Sequence, residues 1–252
     1  MDSGTMIKLS DVNFGYEGHR VLEKVNIDIP AGRIVSILGP SGCGKSTVLR
    51  LISHLEEPLG GRVATGNNNS LEKQQLRFLF QDFDAYPWYT VWQNVKLASG
   101  PKPYPSDQLV SQILDEVGLL NQKNRYPSEL SGGMRKRLGL ARCLVRHPST
   151  LLLDEPFSSL DVDTRWDMYD LLQRLLLENR CTVVMVTHDI HEAILLSDNI
   201  LVFSKPPVTT PHSIEVTLKR PRTEAIAELP EYAAIRHTVI EHLKSQSPRA
   251  TP

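Results

Sequence analysis

The chain has 252 residues, 40% of them hydrophobic, enough to bury a sizeable core as one large domain or two closely joined lobes and to exclude extended disorder over most of its length. A formal net charge of -1 excludes whole-protein electrostatics as the basis for holding nucleic acid or anionic lipid, so any basic patch must be local. Three cysteines (Cys43, Cys143, Cys181) without metal-ligand spacing fit a reducing compartment rather than a disulfide framework. The N-terminal "MDSGTMIKLS" lacks a signal-peptide pattern, and no stretch approaches the ~18 apolar residues of a spanning helix, so membrane contact is expected to need a partner.

In chain order, "MIKLSDVNF" and "VLEKVNIDI", between Ile7 and Ile29, alternate as antiparallel strands do, with a turn at "GYEGHR". "RIVSILG" (33–39) is a continuous apolar run of the buried parallel type, and "STVLRLISHL" (46–55) has helical spacing. "GRVATGNNNSLEKQQLRFLF" (61–80) is polar and irregular. From about Asp82 to His147 the pattern turns helical, with "SDQLVSQILDEVGLL" an amphipathic helix capped by Ser106. "TLLLDEP" (150–156) and "CTVVMVTHD" (181–189) are two more buried strands flanking the helical "DTRWDMYDLLQRLLLENR", which predicts a parallel α/β sheet. "ILVFSK" (200–205) is a further strand. Beyond it the pattern is mixed, with a packing helix in "PEYAAIRHTVIEHLKS" and a frayed tail in "SQSPRATP".

Between the apolar strand and the helix lies "GPSGCGKST" (39–47). Gly39, Gly44, Lys45 and Ser46 match G-x-x-x-x-G-K-[ST], in which the loop Gly39-Pro40-Ser41-Gly42-Cys43-Gly44 turns backbone N–H groups on phosphate oxygens. Lys45 reaches the β and γ phosphates, Ser46 ligates Mg²⁺, and Thr47 completes the expected nucleotide-binding set. The four fixed positions arise by chance in a chain this long on the order of once in a hundred. "LLLDEP" adds Asp154 at a strand end, where a carboxylate holds Mg²⁺, and Glu155, placed to polarise an attacking water. His188 closes "VMVTHD" as a hydrogen-bond donor for the γ-phosphate or that water. A second anion-binding loop, "LSGGMRKRLGLAR" (130–142), is more than one phosphate cradle requires.

"GPSGCGKST", "LSGGMRKRLGLAR", "LLLDEPFSSLD" and "VTHD", in this order, resemble the ATP-binding subunit of ABC transporters over about residues 7–220. The resemblance implies an α/β fold of the P-loop NTPase type. It has a RecA-like parallel sheet core, an N-terminal antiparallel β-lobe and a helical insertion at about 82–147, all within a cassette at 1–222, followed by a helical extension and tail at 223–252. It also accounts for the second loop. Two copies pack head to tail, and Ser131, Gly132 and Gly133 of one bind the γ-phosphate held by Lys45 of the other. By position, Tyr16 is the aromatic that stacks on adenine, and Gln81 touches Mg²⁺ and the attacking water. Asp161 belongs to a turn crossing the dimer interface, while Ser158 and Ser159 shape the backbone. Met134 and Lys136 depart from the commonest pattern, which has glutamine at each, without removing an assigned phosphate-binding atom.

In "DAYPWYTVWQNV" (84–95), Tyr86, Trp88, Tyr89 and Trp92 fall where such subunits grip a helix of the membrane partner, and aromatics suit an apolar interface. The run Pro-Trp-x-Thr-Val-x-x-Asn-Val and the late "TLKRPR" resemble the importer branch for nitrate, sulfonates and taurine. The implied protein is an ATP hydrolase at the cytoplasmic face of the cell membrane. It takes ATP and Mg²⁺, pairs with a second cassette (a homodimer), drives an integral permease, works indirectly with a periplasmic or lipid-anchored solute-binding protein, and uses no nucleic acid. The alternative is a soluble ABC-type ATPase acting on nucleic acid or ribosomes, but such proteins usually carry a long coiled-coil insertion or tandem cassettes. This chain has one cassette and no heptad run.

Overall fold

The computed structural model describes residues 5–66, 76–81, 85–98, 104–158, 160–179 and 181–245; Ser159, the middle of the polar 61–80 stretch and the tail beyond 245 lie outside them. In chain order the elements are β1 (Thr5–Tyr16), β2 (His19–Pro30), β3 (Ile34–Leu38), α1 (Lys45–Ile52), β4 (Gly60–Thr65), β5 (Leu76–Leu79), α2 (Val91–Ala98), α3 (Asp107–Glu116), α4 (Gly132–Leu144), β6 (Thr150–Asp154), α5 (Val162–Asn179), β7 (Thr182–Val186), α6 (Ile190–Leu196), β8 (Asn199–Val202), β9 (His212–Glu215) and α7 (Pro230–Ser245). They fall into two compact units, Met1–Glu72 with Cys181–Pro252, and Lys73–Arg180. Among the described residues no helix is long and apolar enough to cross a membrane.

The first unit contains two sheets. In the smaller, β1 lies between β2 and β4, antiparallel to both, with Leu9 opposite Ile27 on one side and Val63 on the other. A period-2 pattern, reset where the register shifts and Asp11 and Lys24 take positive φ, turns Ile7, Leu9, Val12, Leu22, Val25, Ile27 and Ile29 inward, all fully or nearly fully buried. The polar "GRVAT" joins this sheet all the same, because Gly61 takes φ 80° and lets the chain pass the Asp11 carbonyl, which an added Cβ would meet at 2.3 Å. In the larger sheet β3 is flanked by parallel β7 and β8, with Val35 paired to Val184 and Asn199, and β9 closes the edge antiparallel to β8. Every residue of β3 and β7 is buried, which is why both read as largely apolar runs rather than alternating ones, with only Ser36 and Thr182 polar. Helix α1 ends at Ile52, three residues short of the expected helix, in a turn where Leu55 N–H reaches back to the Arg50 carbonyl. Helix α7 spans the run expected to pack and lies on α6, β8 and β9 through buried Tyr232 and Val239.

The second unit pairs β5 and β6 in parallel, Leu76 to Thr150 through Leu79 to Leu153. Helix α4 is its hub, packing on α2, α3, α5 and β5. Leu138, Leu140, Ala141 and Leu144 of α4 are buried with Val91 and Val95 of α2 and Val110, Ile113 and Leu114 of α3. Each large side chain removed from water contributes roughly 1.5–3 kcal/mol. Ser106 caps α3 as the sequence predicts, its hydroxyl accepting from Leu109 N–H at 3.1 Å.

Candidate functional site

The first unit carries Tyr16, the Gly39–Thr47 loop and His188. Strand β3 delivers the chain to Gly39, and the loop returns through Gly42 (φ 76°) and Gly44 (φ 97°) into α1. Both glycines occupy left-handed backbone, and a Cβ at Gly44 would stand 2.4 Å from Val21 Cγ1. No side chain caps α1 and no acidic residue occupies its first turn, so its leading N–H groups and positive dipole end suit an anion. The Lys45 ammonium folds back over the loop, donating to the carbonyls of Gly39 at 2.9 Å and Pro40 at 3.0 Å, and is 8% exposed. Cys43 is buried beneath, and burial pushes its thiol up. Tyr16 ends β1, half-exposed, its ring edge-on to Phe14 at 4.9 Å.

His188 follows β7 and is exposed, in a turn held on both sides. Thr187 Oγ1 accepts from Asp189 N–H and donates to the Glu192 carboxylate, while Asp189 caps α6 by accepting from the N–H groups of His191 and Glu192.

The second unit carries Gln81, Ser131 to Gly133, Asp154, Glu155 and Asp161. Asp154 ends β6 at 7% exposure. Glu155 follows at φ 45°, a left-handed conformation uncommon for a residue with a side chain and one that accumulates at functional sites. Ser158 supports that turn, its N–H and hydroxyl both donating to the Glu155 carbonyl. Gln81 Nε2 lies 3.4 Å from Glu155 Oε2, so the fold brings together two expected site residues that are far apart in sequence.

Ser131 caps α4, accepting from Met134 N–H at 3.2 Å, which leaves its hydroxyl hydrogen to donate outward. Gly132 faces open space. Gly133 is closed in, because a Cβ there would stand 2.5 Å from Thr164 Cγ2. Thr164 in turn donates its N–H and hydroxyl to the two oxygens of Asp161, at 2.9 and 2.8 Å, and these bonds hold the Asp161 carboxyl below the usual range. The Ser-Gly-Gly loop and the Asp161 turn are therefore in contact through Thr164.

Residues 22–158, more than half of the chain, match the ABC transporter family model. The chain belongs to the ABC transporter ATP-binding family. It is 41% identical, over 97% of its own length and 74% of the relative's, to the aliphatic sulfonates import ATP-binding protein SsuB of Burkholderia ambifaria. It is 44% identical to SsuB 2 of Pseudomonas syringae pv. tomato over 82% of this chain and 86% of that one. The ATP-binding cassette MJ0796, solved as a dimer in a post-hydrolysis state bound to ADP and Pi, superposes with a TM-score of 0.74 at 31% identity, over 85% of this chain and 100% of that one. This ABC cassette has the P-loop NTPase fold, binds ATP and hydrolyses it.

Two residues of runs quoted above, Asn94 and Arg222, have structural roles that those runs do not announce. Asn94 is fully buried under the aromatic turn; its Oδ1 accepts from Tyr86 N–H, and its Nδ2 lies within 3.1 Å of the carbonyls of Tyr86, Tyr89 and Thr90. The turn so held presents Tyr86 at 41% and Trp88 at 67% exposure, with Tyr89 edge-on to both. Trp88 therefore lies on the surface of the turn. The Arg142 guanidinium lies 4.5 Å from the Tyr86 ring centre, and burial lowers its pKa. In "TLKRPR", Arg222 is 2% exposed and donates to the carbonyls of Ile194, Ser197, Val216 and Leu218, with its pKa lowered to about 10 chiefly by burial. It closes the open end of α6, a structural task that an arginine in a basic run does not announce.

Proposed function

We propose that the cassette is the ATP-hydrolysing subunit of an ABC importer for aliphatic sulfonates or similar small anions, closing as a dimer on ATP and driving a membrane permease from the cytoplasmic face. The observation that carries this reading is the pair of helix N-termini, α1 and α4, open to an anion in one chain. One chain needs a single γ-phosphate cradle; two cradles serve two copies that share each nucleotide. The sulfonate-import relatives, alike over almost the whole chain, support the solute class.

In this reading ATP displaces the carbonyl partners of Lys45, whose ammonium then meets the β and γ phosphates in charge-assisted hydrogen bonds. The α1 N-terminus and the Gly39–Gly44 backbone hold the remaining phosphate oxygens, and Tyr16 stacks on the adenine. Ser46, Asp154 and Gln81 offer hydroxyl, carboxylate and amide oxygen, a hard donor set that fits Mg²⁺, which when bound neutralises phosphate charge. Glu155 accepts the proton of the attacking water, the Gln81 amide beside it orients that carboxylate, and His188 donates to the γ-phosphate. Ser131 and the N–H groups of Gly132 and Gly133 serve the partner copy's nucleotide. The exposed Tyr86 and Trp88, with the half-buried Tyr89 beside them, supply apolar area for the permease. Residues 223–252 are an extension anchored through α7 rather than part of the catalytic cassette.

Light scattering tests the sandwich. Glu155→Gln, which keeps the shape and removes the base, is expected to double in mass with ATP and Mg²⁺, whereas Lys45→Ala loses nucleotide binding. A monomeric Glu155→Gln under those conditions refutes the shared-nucleotide reading. Affinity purification from detergent-solubilised membranes should bring down a polytopic permease in equal amount; recovery with ribosomal or DNA-associated partners instead overturns the importer reading.

A further inference from the structure

We infer that Lys136 is a positioning residue for ATP hydrolysis, clamping the Gln81 backbone so that the Gln81 amide is held against Glu155. The inference rests on the assignment of Gln81 and Glu155 to hydrolysis made above.

Three cations follow the signature loop on α4, and their hydrogen bonds differ. Arg135 donates back to the Leu130 carbonyl at 2.8 Å and so stiffens the helix entry. Arg137 pairs with Asp167 of α5 at 2.7 Å. Lys136, half-buried between them, donates its ammonium to the carbonyl oxygen of Gln81 in a short, charge-assisted contact. Gln81 lies beyond the end of β5, outside any ladder, and is exposed. Its peptide therefore needs a tether if its side chain is to point in one direction, and an ammonium on a packed helix supplies one. With the carbonyl held by Lys136, the amide reaches Glu155 Oε2 at 3.4 Å.

The path runs from the helix that begins at Ser131, through one lysine, to the backbone of Gln81 and on to the carboxylate beside the attacking water. The residue lies where the family's commonest pattern has glutamine, a shorter and uncharged donor. Here the substitution strengthens a link between the signature helix and the hydrolytic carboxylate of the same chain. Any displacement of α4 when its N-terminus meets the partner's nucleotide is passed to Gln81 directly.

The test is steady-state ATP hydrolysis by the full chain. Lys136→Met keeps the stem and removes the donor. It is expected to lower kcat about tenfold while the KM for ATP stays within about twofold, because the ammonium touches Gln81 rather than the phosphate loop. Lys136→Arg should restore most of the rate. In a Gln81→Ala background, where no amide remains to be aimed, Lys136→Met should change kcat by less than about twofold. An unchanged kcat in Lys136→Met, an effect confined to KM, or an equal loss in the Gln81→Ala background each overturns the inference. Should Lys136→Met fail to fold, Lys136→Gln reads the same contact: a reduced kcat supports the clamp and an unchanged one refutes it. Failure of the underlying reading looks different, since Gln81→Ala and Glu155→Gln would then hydrolyse ATP normally.

Discussion

Replacing Asn94 by alanine removes the post on which the aromatic turn stands. The side chain is fully buried; its Oδ1 accepts from Tyr86 N–H at 2.9 Å, and its two amide hydrogens are shared among the carbonyls of Tyr86, Tyr89 and Thr90, 2.9 to 3.1 Å from Nδ2. A protein hydrogen bond contributes about 0.5–1.5 kcal/mol net, and a buried partner left unsatisfied costs about 1–3 kcal/mol. Because Tyr86 is exposed and Tyr89 and Thr90 are partly so, water recovers some of the orphaned groups. A loss of about 3 kcal/mol is therefore expected, or a Tm lower by roughly 6–12 °C at about 2–4 °C per kcal/mol for a domain of this size. Asn94→Asp is the sharper variant. It keeps the acceptor for Tyr86 N–H but aims a carboxylate oxygen at three carbonyl oxygens, and it should cost more than alanine although it is the closer isostere. Urea denaturation followed by far-ultraviolet circular dichroism measures both. A loss below about 1 kcal/mol in Asn94→Ala, or Asn94→Asp more stable than Asn94→Ala, would refute the reasoning.

Other outcomes follow from the same geometry. Gly44→Ala forces a side chain into φ 97° and against Val21; it should lose about 1–3 kcal/mol of stability and bind a non-hydrolysable ATP analogue poorly, and unaltered binding would contradict the assigned backbone role. Burial lowers the His191 pKa despite the opposing charges of Asp189 and Glu224, so the folded ring stays neutral where the unfolded one takes a proton near pH 6.5. Its contribution is complete above that pH and is lost as pH falls toward the folded value. The Tm should therefore drop between pH 7 and about 5, and less so in His191→Gln; parallel profiles would assign the drop to other groups. Tyr232→Phe, which removes the 3.0 Å hydrogen bond between the tyrosine hydroxyl and His191 Nδ1, should lower stability by about 0.5–1.5 kcal/mol, read by the same denaturation.

Much of this architecture is legible from the chain alone, for identifiable reasons. Strands β3, β6 and β7 are buried on both faces and so are predominantly apolar, a pattern needing no knowledge of neighbours. The phosphate loop is equally local, because Gly42 and Gly44 satisfy a backbone requirement at their own positions. Helix α3 announces itself by the Ser106 cap and α7 by the length of its run. Strand β4 was hidden by its polar residues, since its partner β1 rather than its own alternation holds it in the sheet. Helix α2 was not separable within 82–147, because the polar Asn94 occupies its buried face.

The amino-acid sequence by itself determined most of the elements, though not β4 or α2, together with the two anion-binding loops and the family, because each is written in contiguous residues whose backbone demands are met within a few positions. Only the tertiary structure decided that Gln81 meets Glu155, that Lys136 holds Gln81, that Gly133 touches the Asp161 turn through Thr164, and that Asn94 and Arg222 serve the interior. A lysine, an asparagine or an arginine has the same chemistry in solvent as in the core. What distinguishes its role is which carbonyl lies within hydrogen-bond reach, and that is set by the packing of elements distant along the chain.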